Sequence, residues 1–273
     1  MCLAIVALHA LPDWPLIVLA NRDELHIRPT LAANPWSDAG TILAGRDLNA
    51  GGTWLGITTQ GRVALLTNYR EPGQHDSEAP SRGQLTDGYL RGEDSPDSYA
   101  RSIQARGIQY NGFNLILADA SGLWYCTNRG HDKIQQLSKG VVGLSNASLN
   151  TPWPKLKRTQ RAVSEHLTLV GASGVPNHTI LFDIMQDTRS ASIDELPDTG
   201  VGPDREKLLG SPFIKNERYG TRCTTLILRR SDGMIRFHEK RFDAHGLNMG
   251  ESLWTVDTIN QRFLSGTVET FNF

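Results

Sequence analysis

Cysteine, net charge and long apolar runs are all scarce in this sequence, and each scarcity removes a class of protein. The three cysteines, Cys2, Cys126 and Cys223, are an odd and widely scattered set. They do not read as a disulfide framework, which points to a reducing compartment, with the cytoplasm as the default. Lys and Arg total 28 and Asp and Glu 29, a formal net charge of −1. That balance argues against a bulk electrostatic grip on nucleic acid or an anionic membrane. The apolar runs are strand-sized, so no transmembrane segment is expected. No secretory apolar stretch precedes a small-residue cleavage site. The eight histidines make no HExxH motif, and there is no Cys-x-x-Cys, so neither a zinc site nor covalent haem attachment is readable. A lone His or Cys remains able to ligate non-covalent haem. "GRDLNAGGTWLG" (45–56) is glycine-rich, but no Lys-Ser/Thr follows it, so it reads as tight turns and not a P-loop.

What is present is a series of short strands broken by helix pairs. "LAIVALH" (3–9) and "LIVLAN" (16–21) flank a Pro- and Asp-containing turn. "ILAG" (42–45), "TWLGIT" (53–58) and "RVALLTN" (62–68) continue the strands. Two helices are expected within 82–106, the second opened by Ser95 with Pro96 in its first turn. Strands return at "FNLILAD", "LWYCTN", "KIQQL" and "VVGLSN". Helical spacing then marks 154–170, with an exposed basic face at "KLKRTQR", and 177–187 is a further helix candidate. "CTTLILRR" and "MIRFHEKRF", joined by "SDG", read as a hairpin. The stretch 196–213 reads as a mobile loop. With no linker or repeat, the expectation is one layered α+β domain over 1–273, of antiparallel sheets with helices on their faces.

Cys2 stands directly behind Met1. Removal of the initiator methionine would leave a thiol and an α-amine on one residue. Such an amine titrates near pH 7.7–8.0 and can act as a base, and the thiolate is a nucleophile. The plain alternative is an ordinary cysteine near a terminus. Arg22, Asp23 and Glu24 follow an apolar strand, either as solvated turn residues or as neighbours of a nucleophile on the adjacent strand. Asn68 and Asn146 end strands, where a side-chain amide either caps a turn or donates to an oxyanion. Arg222 precedes Cys223 in the late hairpin. His9 and His26 read as ordinary strand-end or surface residues.

"ANRDE", "GGTWLG", "LLTNYRE", "GLSNASLNTPWPK" and "YGTRCTT" together resemble the TANGO2 family, also called the NRDE proteins, over essentially the whole chain. More distantly, the pattern resembles the N-terminal-nucleophile hydrolases of the choloylglycine hydrolase and penicillin V acylase group. That resemblance implies a four-layer αββα sandwich. It implies Cys2 as nucleophile, Arg22 as its electrostatic partner, Asp23 orienting the amine, Asn68 and Asn146 as oxyanion hole, and Arg222 polarising the site. In those hydrolases the aspartate stands three residues after the arginine, whereas Asp23 follows Arg22 directly and Glu24 competes with it. The family resemblance implies handling of a hydrophobic anionic metabolite, haem or acyl-CoA, with no cofactor required and haem only as a possible bound ligand. The alternative is an N-terminal cysteine amidohydrolase acting on non-peptide linear amides.

Overall fold

The computed structural model describes residues 2–131, 133–172 and 174–271. In chain order its elements begin with β1 (Cys2–Leu11), β2 (Trp14–Leu25), β3 (Thr30–Trp36), β4 (Ala39–Asp47), β5 (Leu55–Thr58) and β6 (Val63–Asn68). Then come α1 (Gly83–Arg91), α2 (Pro96–Arg106), β7 (Phe113–Ala118), β8 (Leu123–Thr127), β9 (Ile134–Leu137) and β10 (Gly140–Leu144). The chain continues with α3 (Pro154–Val170), α4 (His178–Met185), α5 (Pro203–Leu208), β11 (Tyr219–Arg229), β12 (Met234–Phe242), β13 (Asn248–Asp257) and β14 (Arg262–Val268).

The strands form two seven-stranded sheets, in the orders β10-β1-β2-β11-β12-β13-β14 and β3-β4-β5-β6-β7-β8-β9. Every pairing is antiparallel; short hairpin connections dictate this for most neighbours, while β1–β10, β2–β11 and β6–β7 pair across long connections. Alternation along each strand then sends successive side chains to opposite faces. In β1, Ala4 and Val6 face the second sheet, with Val18 and Leu16 of β2 beside them and Leu55, Ile57 and Ile116 across the gap. Leu3, Ile5 and Ala7 face the other way, against Leu156, Val163 and Leu167 of α3 and Phe182 of α4. The second sheet repeats the plan: Ala64, Leu115 and Leu117 turn outward onto Leu85 and Tyr89 of α1 and Ile103 of α2. The layers are therefore α, β, β, α. Both faces of the central strands are covered, which is why β1, β2, β6 and β7 read as unbroken apolar runs.

Local signals start the helices where the sequence places them. Ser95 accepts a hydrogen bond from the Ser98 N–H with Pro96 in the first turn, and Asn177 accepts from the N–H groups of Thr179 and Ile180. Three strands, β3, β13 and β14, lie in stretches that carry no readable strand pattern. The segment 196–213 contains α5 and is tied to the body of the protein by a buried ion pair between Arg70 and Glu206 at 2.8 Å. No helix among the described residues is long and apolar enough to cross a membrane.

Candidate functional site

The site is built on β2 and its two neighbours. Register places Cys2 of β1 opposite Arg22 of β2, and Arg22 in turn opposite Cys223 of β11. The three share parity with Ala4, Ala20 and Ile227, so all point between the sheets. Two strand spacings of about 4.8 Å separate the cysteines, too far for a disulfide.

Arg22 is 5% exposed and bonded through both Nη groups. It donates to Thr30 Oγ1 and to Asp47 Oδ2, each at 3.1 Å, and its guanidinium lies 4.2 Å from the Trp54 ring centre. Asp47 also takes the Arg28 Nε at 2.6 Å. Burial pushes the Asp47 carboxyl up, but the Arg28 and Arg22 guanidinium groups outweigh it and hold the carboxyl below its usual range. Two glycines make this packing possible. A Cβ on Gly45 would overlap the Trp54 ring, and one on Gly52 would overlap the backbone of Gly83 at the start of α1.

Cys2, Arg22, Asp23 and Asn68 line one cavity of about 290 Å³, together with Arg28, Trp54 and Arg82. Its outer wall is the segment between β6 and α1. Asn111 fixes that segment by accepting from the Asp76 N–H at 2.9 Å and donating to the Asp76 carbonyl at 2.8 Å. Arg82 donates through Nη1 to the Gly112 carbonyl, and its other N–H groups make no hydrogen bond among the described residues. Burial raises the Cys2 thiol above its ordinary value, and Asp23 adds to this. The Arg22 guanidinium and a hydrogen bond from the Asp23 backbone N–H oppose it without cancelling it.

Asp23 sends its side chain to the opposite face from Arg22, as neighbours on a strand must. Offsets of one and of three both change face in a strand, so standing two positions early keeps the carboxylate on the helix side of the sheet. There it is 1% exposed and accepts from the Thr221 hydroxyl at 2.7 Å. Burial pushes its carboxyl up, opposed by the Lys155 ammonium and the Thr221 hydroxyl. Lys155 is not part of an exposed basic face. It is 3% exposed, donates to the Leu209 carbonyl at 2.8 Å, and is pushed down to about 8 by burial. Glu24 faces the cavity with Arg22 and accepts from the Leu25 N–H.

The remaining named residues sit elsewhere. Asn146 is completely buried behind Asn68, with its Nδ2 donating to the Asn68 carbonyl at 2.8 Å. Arg222 lies on the other side of the Arg22–Trp54 stack, donating to the carbonyls of Leu25 and Arg28 at 2.8 and 3.2 Å. It lines a second cavity of about 420 Å³ with Cys223 and Glu239. His26 borders that cavity, and His9 borders a third, with Asp119 and Arg229. No cluster of His, Cys, Asp and Glu among the described residues is arranged to hold a metal ion. Sequence reasoning missed Asp47, Trp54, Arg82 and Lys155 as members of the site. Only Trp54 and Lys155 carried a signal, inside "GGTWLG" and "TPWPK".

The family model described as Transport and Golgi organisation 2 matches residues 1–244. The Transport and Golgi organization 2 homolog of Mus musculus is 33% identical over 260 residues, covering 90% of this chain and 91% of the mouse protein. The Homo sapiens homolog is 36% identical over 242 residues, covering 83% and 86%. Among solved structures, a variant of the conjugated bile acid hydrolase from Clostridium perfringens superposes with a TM-score of 0.49 at 8% identity, covering 99% of this chain and 97% of that one. With a family match across most of its length and two relatives above 30% identity, the chain belongs to the Transport and Golgi organisation 2 (TANGO2) family.

Proposed function

We propose that this chain is a cytoplasmic binding protein that holds the acidic end of a small amphipathic metabolite in the Cys2 cavity. The observation that carries this reading is the presence of three arginines, Arg22, Arg28 and Arg82, around a thiol that burial keeps protonated. Arg22 is bonded through both Nη groups, so the receptor for an anionic group is Arg82, with the Arg28 guanidinium, held by Asp47 through Nε, beside it. Trp54, Leu66 and Pro80 supply apolar wall beside it. At about 290 Å³ the cavity is at the lower end of small-molecule sites, roughly 300–1,000 Å³. Haem or an acyl-CoA would therefore insert one end only, its propionate or phosphate.

Titration with haem, followed by the Soret band, and with an acyl-CoA, followed by calorimetry, tests this. Arg82→Ala should weaken binding at least about tenfold, equivalent to one interaction of about 1.4 kcal/mol. Cys2→Ala should change it little, unless the sulfur ligates iron, in which case the Soret band moves. Absence of binding at micromolar protein, with turnover of a linear amide in its place, would sink the binding reading.

The amidohydrolase reading is favoured by one arrangement: Cys2 stands opposite Arg22 in the strand register and shares its cavity with Asn68. In that reaction the Cys2 thiolate attacks the amide carbonyl, the amine leaves with a proton, and water hydrolyses the thioester to the acid. It requires loss of Met1, and an acyl adduct on Cys2 by intact-mass measurement is its signature.

A further inference from the structure

The cavity beyond Arg22 and Trp54 has no part in the reading above. It is the larger of the two, about 420 Å³ against about 290 Å³. The wall between them is fixed: Arg22 is bonded to Thr30 and Asp47 and stacked on Trp54, and both side chains face both cavities. On the far side, Leu31, Trp54, Phe242 and Met249 give apolar wall. The floor is polar and deeply buried. Glu239 is 2% exposed and accepts from the Ala33 N–H at 3.0 Å, which ties β12 to β3 across the two sheets. The Cys223 thiol, 3% exposed, lines the same cavity as the Glu239 carboxyl. Burial pushes that carboxyl up, so the floor resists carrying a negative charge.

At the mouth stands Arg222. Its Nη1 is pinned on two backbone carbonyls, while Nε and Nη2 make no hydrogen bond among the described residues. Arg241 lies 3.9 Å from Glu239, with its own N–H groups on Ser252 Oγ and the Glu269 carbonyl. The charged groups facing the cavity are thus Arg22, Arg222 and Arg241 against Glu239 and Asp243, with His26 at the edge. Asp243 is occupied by the N–H groups of His245 and Leu247.

We propose that this cavity is a second ligand site, independent of Cys2, for a monocarboxylate with an apolar body. The carboxylate meets the open edge of the Arg222 guanidinium at the mouth, and the hydrocarbon lies along Leu31, Phe242 and Met249. A charge-assisted Arg–carboxylate pair favours such an acid over the matching alcohol. Contact with the apolar wall favours it over an acid with no chain.

Calorimetric titration with decanoate is the test, with decanol and acetate as comparison ligands. Decanoate should bind the wild type more tightly than either. Met249→Trp, which fills the cavity, should abolish the binding that survives in Arg82→Ala. Arg222→Ala should weaken it at least tenfold, with Arg222→Lys recovering part of the loss. Arg82→Ala, which removes the acid receptor of the other cavity, should leave the Arg222-dependent binding in place. Undiminished binding in Met249→Trp, or none by wild type at millimolar decanoate, would overturn the proposal. Loss in Arg82→Ala with retention in Met249→Trp would place the acid beside Cys2, overturning this site while supporting the Cys2 cavity as the binding site.

Discussion

Two adjacent residues of β2 serve two different layers of the molecule. Arg22 faces the space between the sheets, and Asp23 faces the helices. Cys2 lies within the influence of both, and they act on it in opposite directions. Burial is the largest influence and raises the thiol, Asp23 raises it further, and Arg22 lowers it. In a variant with Cys126 and Cys223 replaced by alanine, the pH dependence of alkylation should therefore give an apparent pKa above 9.0, the unperturbed value. Arg22→Ala should move it higher, because a stabilising cation is lost. Asp23→Asn should move it lower, because a repelling carboxylate is lost. An apparent pKa near neutrality in the parent would show an activated nucleophile and would restore the amidohydrolase reading to first place.

At the scale of elements, legibility followed the apolar pattern. The pairs β1–β2 and β11–β12 were readable because apolar runs of strand length flank short turns. The helices α1 to α4 were readable from spacing and caps. β3 was not, because Pro35 interrupts it and its faces are only partly buried. β13 hides its alternation by burying Gly250 and Ser252 where an apolar residue would mark the inner face. β14 is an edge strand, with six of its seven residues exposed, and has no apolar side to detect. The site was legible wherever a motif held two partners in register, as with Cys2 and Arg22. It was illegible where the partner came from a distant strand, as with Asp47.

The segment 196–213 shows the same limit. Its polar, Gly- and Pro-rich composition reads as mobile, yet Glu206 is buried against Arg70 and accepts from the Thr199 N–H at 2.7 Å. Arg70 also lies over the Trp153 ring at 4.8 Å. Breaking a buried pair by removing one partner leaves the other charge uncompensated, at about 3–5 kcal/mol. Arg70→Met or Glu206→Leu alone should lower stability by that order in urea unfolding. The double replacement should cost much less than the sum of the two. Additive losses would show that the pair is not coupled and that packing alone holds the segment.

For the whole molecule, four layers covering both faces of the sheets leave the Cys126 thiol with no route to water. Cys126 is completely buried in the second sheet, and burial pushes it up from 9.0 to about 12. Cys223 and Cys2 are raised as well, burial again being the largest cause. A group whose folded pKa is raised contributes stability that is fully present below its unfolded pKa and lost as pH rises toward the folded one. For Cys126 that window runs from 9.0 to about 12. Lys155 works with the opposite sign: its folded value of about 8 lies below the unfolded 10.5, so its contribution grows with pH across that interval. The slope attributable to one thiol is therefore read as a difference between proteins and not from wild type alone. Cys126→Ala removes a methylene-sized group and will shift the urea midpoint at every pH, but it should also flatten the decline between pH 9 and 11. Parallel declines in the two proteins would mean that the Cys126 thiol ionises as readily folded as unfolded, and that water reaches the layer between the second sheet and its helices.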